Sequence, residues 1–198
     1  MVFYHPLCLP ENSFSLSDKY KDYNVILIIA DSLRPDDLGC YGYAKNVSPN
    51  IDALAHRGVV FTNAFCQMPL TMPNVTSIFT SLYPKSHATL HPFKDSVPDN
   101  IVTLAEILRI YGYQTAWFGL LSDPQTGAAK GILRGFDTYQ TDANLIKESG
   151  KIVDVRFDNI FQWVRQQNKR PIFLVVHTYI PHIQFFPFLT SGIDFLKR

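Results

Sequence analysis

The chain of 198 residues is long enough for one domain with a sizeable hydrophobic core. Its content of 46% hydrophobic and 18% charged residues is typical of a globular protein and excludes a chain too polar to fold. The formal net charge is +1 and like charges form no long run, so a nucleic-acid partner is not expected.

The N-terminal residues 1–22 are polar and irregular, and we predict a lead-in segment there, followed by one domain over residues 23–198. The lead-in lacks the basic start and the sustained apolar stretch of a signal peptide. The longest apolar run, Val25 to Ala30, is far shorter than the ~20 residues that a membrane-spanning helix needs. We therefore expect no membrane span, and a cytoplasmic location is the default expectation.

The order of predicted elements indicates an α/β fold. Residues 24–30 form a continuous apolar, β-branched run, which is typical of a strand buried on both faces of a parallel sheet. The next predicted elements are a helix from Ser48 to Gly58, a short strand over 59–61 and a helix opened by Pro73, with Val75, Ile78 and Phe79 on its apolar side. They are followed by a helix over 100–111, a strand over 113–118 and a loop-like region over 122–150. The last two are a helix around 153–164 and a strand over 171–177. Since strands alternate with helices, we predict a mostly parallel sheet flanked by helices, with strands 24–30 and 171–177 as neighbours. Asp31, Thr71 and His182 all follow buried elements, so we also predict that they converge at one edge of this sheet.

Two polar residues stand where predicted strands end. Asp31 follows the first strand and His177 ends the last one, and ligands of open parallel sheets bind beyond the carboxyl ends of the strands. A carboxylate in that position can hold a divalent cation, although a turn or helix-capping aspartate is the plainer alternative. The spacing of His177 and His182 does not demand a metal, and a structural role is the commoner case for such histidines.

Thr71 lies just before a predicted helix N-terminus. Unpaired N–H groups at that end favour an anion such as sulfate or phosphate. A hydroxyl close to a metal ion can also act as a nucleophile, while a helix-capping threonine is the alternative. The charged residues Arg34, Asp36 and Asp37 would either line such a site or be solvated loop charges.

Taken together, several blocks in the same order resemble the sulfatase family of the alkaline-phosphatase superfamily. Residues 24–42 resemble the opening metal-binding strand and loop of the family, and residues 48–65 resemble its "PN-D-LA … F-NA" segment. Residues 71–84 resemble the nucleophile helix with its "TG-YP" ending. Residues 112–116 and 135–137 match two later landmarks, and residues 173–182 resemble the "H…PH" strand end. The resemblance runs from about Tyr23 to His182 and implies the N-terminal part of an alkaline-phosphatase-like fold, truncated at the C-terminus.

The chain departs from the family pattern at the nucleophile. Members that use formylglycine carry Cys or Ser in a C/S-x-P-x-R core, whereas the aligned residues here are Thr71, Pro73 and Val75. Threonine cannot be oxidised to an aldehyde. The resemblance is therefore closer to members with a threonine nucleophile, which include phosphodiesterases and phosphoethanolamine or glycerol-phosphate transferases.

Further departures concern metal and substrate ligands. Ser32 stands where many sulfatases have a second metal-binding aspartate, and residues 118–120 stand where many have a Lys-x-His pair. The family's later ligands, an Asp followed by Asn or His, have no counterpart in residues 185–198. The resemblance thus implies an incomplete metal site, and we expect the chain as given to be inactive.

The implied function is a sulfatase-like hydrolase that acts on sulfate or phosphate esters of small molecules or glycans through a metal-bound nucleophile. By the resemblance, Asp31 and Thr71 would bind the divalent cation, Thr71 would be the nucleophile, and His182 would contact the ester oxygens or protonate the leaving group. Calcium is the first expectation for the cation, with zinc or manganese as alternatives. The alternative functions are a phosphodiesterase or phosphoethanolamine-type transferase and an inactive binding module, and an exposed sheet edge would allow self-association.

Overall fold

The computed structural model describes residues 22–91, 94–119, 131–140, 157–167, 170–179 and 181. The strands are β1 (Val25–Ala30), β2 (Gln114–Gly119), β3 (Thr138–Gln140) and β4 (Ile172–Thr178). The α-helices are α1 (Pro49–Ala55), α2 (Thr71–Thr80), α3 (Pro84–His87), α4 (Leu104–Ile110) and α5 (Phe157–Gln166), and two 3₁₀ turns occupy Pro35–Asp37 and Gly39–Tyr41. None of the helices in these ranges is long and apolar enough to cross a membrane.

The strands within these ranges form one parallel sheet in the order β1-β4-β2-β3. β1 pairs with β4 in a register that places Ile29 opposite His177. The side-chain oxygen of Asn24 accepts a hydrogen bond of 3.0 Å from the N–H of Ile172 and so holds the start of the two strands together. The α/β class, the parallel sheet and the predicted pairing of these two strands are confirmed.

Helices cover the central strands on both faces. Alternate residues of β4 point to opposite sides: Phe173 and Val175 pack on the side of α2 and α4, while Leu174 and Val176 pack with Ile160 of α5 on the other side. Because both faces of such a parallel strand are covered, its sequence is an unbroken run of apolar residues.

An aromatic cluster holds α2 against the sheet. Phe79 of α2 lies 5.5 Å from Trp117 of β2 between ring centroids, and Phe136 lies 5.7 Å from both Trp117 and Phe173. All four rings are buried. Because Phe79 and Thr71 belong to the same helix, the cluster also fixes where Thr71 lies over the end of the sheet.

β1 differs from its prediction. Leu27 and Ile29 pack on the core, but Ile26 and Ile28 are 57% and 64% exposed. Within the described part of the chain, β1 forms the edge of the sheet and is buried on one face, so the expectation of burial on both faces is wrong there.

The short elements were the hardest to predict. Residues 59–61 are not a strand, and β3 forms inside the region expected to be loop-like. Ser48 does not cap α1 with its side chain. Its hydroxyl instead accepts the N–H of Gly39 at 2.9 Å and donates to Asp52 at 3.0 Å, which ties the loop after β1 to α1.

Two helix starts were also misplaced. α2 begins at Thr71 rather than at Pro73. Proline is tolerated in the first turn because the N–H group that it lacks would have no acceptor inside the helix. Ile78 is partly exposed rather than in the core. α4 begins after Thr103, not at residue 100, because Thr103 and Glu106 form a capping box.

Candidate active site

Asp31 and Thr71 meet at the carboxyl end of the sheet. The Thr71 hydroxyl donates a hydrogen bond of 2.9 Å to Oδ2 of Asp31. Asp31 is held by its own backbone, whose N–H donates to the carbonyl of Thr178 at 2.9 Å and so continues the β1–β4 ladder by one residue. Thr71 is the first residue of α2. The predicted proximity of the two residues is confirmed, whereas their chemical roles stay predictions.

The chain turns sharply directly after Asp31. Ser32 has a φ of 60°, in the left-handed region that a non-glycine residue seldom adopts. Its hydroxyl donates to the other carboxylate oxygen, Oδ1 of Asp31, at 3.0 Å. The residue that replaces a family aspartate therefore serves here as a hydrogen-bond donor to Asp31.

His177 lies beside the same carboxylate. Its side chain is fully buried, and Nε2 is 3.4 Å from Oδ2 of Asp31. This distance is within ion-pair range, but neither ring nitrogen has a partner with hydrogen-bond geometry among the described residues. The ring meets Trp117 edge-on, with centroids 5.6 Å apart, and Tyr179 at 4.7 Å. Sequence reasoning placed His177 at a strand end but gave no specific role to it.

The surroundings keep Asp31 ionised. Burial alone would raise the pKa of this carboxyl, because its side chain is only 11% exposed. The contacts with His177, Thr71 and Ser32 outweigh that effect, so the pKa of Asp31 lies below its ordinary value. At neutral pH the site presents a carboxylate, which is the form that binds a cation.

Close packing shapes the neighbouring strand end. Gly119 has a φ of +133°, and a Cβ atom there would collide with the carbonyl oxygen of His177. Phe118 points to the other face of the sheet, where its ring lies 6.1 Å from Trp163. The position where many sulfatases place a lysine is therefore part of the hydrophobic core.

Other candidates fall outside this cluster. Arg34 forms an ion pair with Asp36 in an exposed loop, and Asp37 is exposed as well, so the interpretation as solvated loop charges is correct. His182 lies outside the described residues.

A second buried polar pair was missed by the sequence reasoning. Nε2 of His87 lies 3.1 Å from the hydroxyl of Ser77, and Nδ1 accepts the N–H of Thr89 at 3.1 Å. Because Nδ1 is an acceptor, the proton of the neutral ring is on Nε2, which donates to Ser77. A histidine that donates to a serine cannot take its proton, so the pair joins α2 to α3 and does not activate a nucleophile.

Two side-chain oxygens of the cluster lie close enough together to contact one cation. Asp31 and Thr71 supply oxygen donors 2.9 Å apart, a donor type that hard divalent cations prefer. The described ranges contain no group of three His, Cys, Asp or Glu side chains that could hold a metal ion. The residues therefore fit a divalent cation as two of its ligands.

Comparison with known proteins agrees with this geometry. The chain matches the model of the sulfatase family over residues 23–190. It is 36% identical over 100 residues to an N-acetylgalactosamine-6-O-sulfatase of Bacteroides thetaiotaomicron (48% of this chain, 20% of that protein). It is 39% identical over 106 residues to the steryl-sulfatase of Rattus norvegicus (48% and 18%).

A solved structure shows the same fold. The phosphonate monoester hydrolase of Agrobacterium radiobacter superposes with a TM-score of 0.67 at 23% identity, over 84% of this chain and 43% of that one. The expected alkaline-phosphatase-like fold is thus confirmed, and the described residues cover part of it. The chain spans less than half the length of each of these three proteins. Since the family match extends over most of its length, the chain belongs to the sulfatase family.

Proposed function

We propose that this chain carries the nucleophile half of a hydrolase site for sulfate esters, with Thr71 as the nucleophile and Asp31 as a ligand of a divalent cation. The observation that carries the proposal is the 2.9 Å hydrogen bond between these side chains at the carboxyl end of the sheet. The family membership and the sulfated-sugar relative support a sulfate ester of a sugar or another small molecule as the substrate class.

Asp31 and Thr71 would hold the cation from the protein side. When bound, a divalent cation neutralises charge on the ester oxygens and lowers the pKa of a nearby hydroxyl. Calcium is the first ion to test because both donors are oxygens, and manganese and zinc are the alternatives.

The first step of the reaction would use Thr71 and Asp31, which already face one another. The Thr71 oxygen would bond to the sulfur atom while the bond between sulfur and the leaving alcohol breaks. The proton of Thr71 would leave toward Oδ2 of Asp31, the acceptor that it already faces. The leaving alcohol would take a proton from His182, the donor that the family resemblance indicates, and water would then hydrolyse the threonine ester.

The position of Thr71 also favours an anionic substrate. The residue opens α2, a helix of ten residues whose N-terminus carries partial positive charge. A sulfate group bound next to Thr71 would interact favourably with these first N–H groups, and its negative charge would be partly offset before reaction.

The test is an assay with aryl sulfate, aryl phosphate and bis-aryl phosphate esters in the presence of calcium, manganese or zinc. It should be run on the 198-residue chain and on the longest polypeptide encoded by the reading frame around codon 198. In a polypeptide that supplies further metal ligands, we expect metal-dependent turnover of aryl sulfate that requires Thr71. In a polypeptide that offers only Asp31 and Thr71 as metal ligands, we expect no appreciable turnover. Turnover that survives Thr71→Ala would refute the proposal. Binding of a sulfate ester without turnover in both polypeptides would favour the binding-module alternative.

A phosphate ester is the second candidate substrate. Threonine at position 71 and buried valine at position 75 replace the formylglycine precursor and arginine of many sulfatases. The ratio of aryl phosphate to aryl sulfate turnover in the same assay decides between the two, and a ratio above one would favour the phosphodiesterase or transferase alternative.

A further inference from the structure

A buried imidazole lies beside the reactive pair without an assigned task. His177 is fully enclosed, and its Nε2 faces Oδ2 of Asp31 at 3.4 Å, the same oxygen that accepts the Thr71 hydroxyl. Neither ring nitrogen has a hydrogen-bond partner among the described residues. Burial of a polar group without a hydrogen-bond partner is costly, so the orientation of the His177 ring toward a carboxylate requires an explanation.

The ring is held in place from several sides. In β4, His177 pairs with Ile29 of β1 and with Gly119 of β2. The edge contact with Trp117 and the ring of Tyr179 confine the plane of the imidazole. Since Gly119 has no side chain, the strands approach closely at this level. The ring is thus a fixed support rather than a side chain free to turn away.

We propose that His177 is a positioning residue for Asp31: its ring presents an Nε2–H to Oδ2 and holds this oxygen in the orientation in which it meets Thr71. The proposal rests on the proposed function in one respect, the role of Asp31 as a cation ligand. A carboxylate ligand that is itself held by fixed donors is already oriented before the ion arrives. Ser32 donates to Oδ1 and Thr71 to Oδ2, and Nε2 of His177 lies 3.4 Å from Oδ2, so all three side chains face the carboxylate.

The first test needs neither metal nor substrate. Long-range ¹H–¹⁵N correlation spectra of the metal-free chain report which ring nitrogen of a neutral histidine is protonated. We expect the proton of His177 on Nε2, and a mixture of the two tautomers in Asp31→Ala, because the acceptor is gone. A proton on Nδ1 in the wild-type chain, or an unchanged spectrum in Asp31→Ala, would overturn the proposal.

The second test measures binding of Mn²⁺ by calorimetry in the same chain. We expect His177→Ala to weaken the affinity about 10- to 100-fold, the usual effect of removing a group that orients a metal ligand. His177→Gln, whose amide N–H can reach a similar position, should restore most of the loss. His56→Ala removes an exposed histidine at the end of α1 and is the matched control, with no change expected.

Two outcomes of the second test count against the proposal. An affinity within twofold of wild type in His177→Ala would show that Asp31 needs no support. An equal loss of Mn²⁺ affinity in His177→Ala and His177→Gln, with folding checked by circular dichroism, would indicate instead that a ring nitrogen of His177 binds the ion directly. A wild-type chain that binds no Mn²⁺, Ca²⁺ or Zn²⁺ would show that Asp31 and Thr71 alone do not hold a cation, and the tautomer measurement would then decide the proposal for His177.

Discussion

The hydroxyl of Thr71 donates to the carboxylate of Asp31 over 2.9 Å, although forty residues separate the two along the chain. Two independent elements produce this contact. The β1–β4 ladder fixes Asp31, and the aromatic packing of Phe79 fixes the helix that begins with Thr71. The contact therefore belongs to the folded domain and not to a local turn.

In any polypeptide that shows metal-dependent ester turnover, Thr71→Ala should abolish that turnover, with a loss of about a thousandfold or more, because the nucleophile is removed. Thr71→Ser keeps a hydroxyl at the same place and should retain turnover within about tenfold. Thr80→Ala, at the other end of α2, is the control and should behave as wild type. Initial rates with an aryl sulfate give the comparison, and similar rates in Thr71→Ala and Thr71→Ser would show that the hydroxyl does not react.

Thr71 should remain chemically unmodified in purified protein. Its secondary alcohol is not a substrate for the oxidation that turns cysteine or serine into formylglycine. Mass spectrometry of intact peptides that cover residues 60–85 should give the unmodified mass. A mass loss localised to Thr71 would contradict the prediction, and a loss at Cys66 would indicate a different modified residue.

Replacement of His87 should change how stability depends on pH. Burial lowers the pKa of His87 below its ordinary value, so the unfolded chain binds the proton more readily than the folded one. The associated stability is fully present above about pH 6.5, the ordinary histidine pKa, and is lost as the pH falls through the lower folded pKa. Between pH 7 and pH 5, the free energy of unfolding should therefore fall further in wild type than in His87→Gln. The extra fall should be less than about 1.4 kcal/mol per pH unit, because that is the limit for one proton.

Urea unfolding at several pH values measures this difference. His56→Gln, in an exposed position, is the control and should follow wild type. If wild type and His87→Gln lose stability in parallel, the protonation of His87 does not differ between the folded and unfolded states.

Thr103→Ala should destabilise the domain by about 1–2 kcal/mol, because it removes a helix cap. The buried Thr103 hydroxyl accepts the N–H of Glu106 at 3.3 Å and donates to the carbonyl of Arg134 at 3.1 Å, so two contacts disappear together. Thr103→Ser keeps the hydroxyl and should recover most of the loss. Equilibrium unfolding in urea gives the values, and a loss below about 0.5 kcal/mol in Thr103→Ala would be too small for a cap.

The exposed face of β1 should promote self-association. In the described part of the chain, Ile26 and Ile28 are exposed on the edge strand of the sheet, and an apolar edge strand is a template for pairing with a second copy. Light scattering after size exclusion should give masses above the 22.6 kDa of one chain, and Ile28→Lys should shift them toward it. Ile110→Lys, which also changes an exposed isoleucine but on α4, should have no such effect. A wild-type chain that is monomeric at high concentration would rule this surface out.

Long apolar runs made the main strands predictable. β1 and β4 are bounded by polar residues or proline, and the order of elements required a parallel sheet, so the placement of Asp31 and His177 at strand ends followed from the sequence. β3 was missed because three residues are too few to show a period. Val59 and Phe61 have strand-forming side chains but remain exposed and unpaired in the sheet, which shows that local propensity alone does not make a strand.

The site was predictable only in part. The proximity of Thr71 and Asp31 was predicted from their placement after buried elements, although neither residue indicates a site by itself. The pairing of Ser77 with His87 had no signal in the sequence, because it depends on the left-handed turn at Ser81 between α2 and α3. The approach of His177 to Asp31 depends on how the side chains turn after the strands have paired, which spacing along a chain does not encode.

The pairing of β1 with β4 has a consequence for biosynthesis. The contact between Asn24 and Ile172 spans 148 residues, so β1 leaves the ribosome long before the strand that pairs with it exists. At about 5–20 residues per second, the interval is about 7 to 30 s. Limited proteolysis of chains stalled on the ribosome before residue 172 and of chains released from it would detect the change, as protection of β1 in the released chains only. During that interval β1 lacks the strand that pairs with it, so we expect the nascent N-terminal half to depend on chaperones that act at the ribosome.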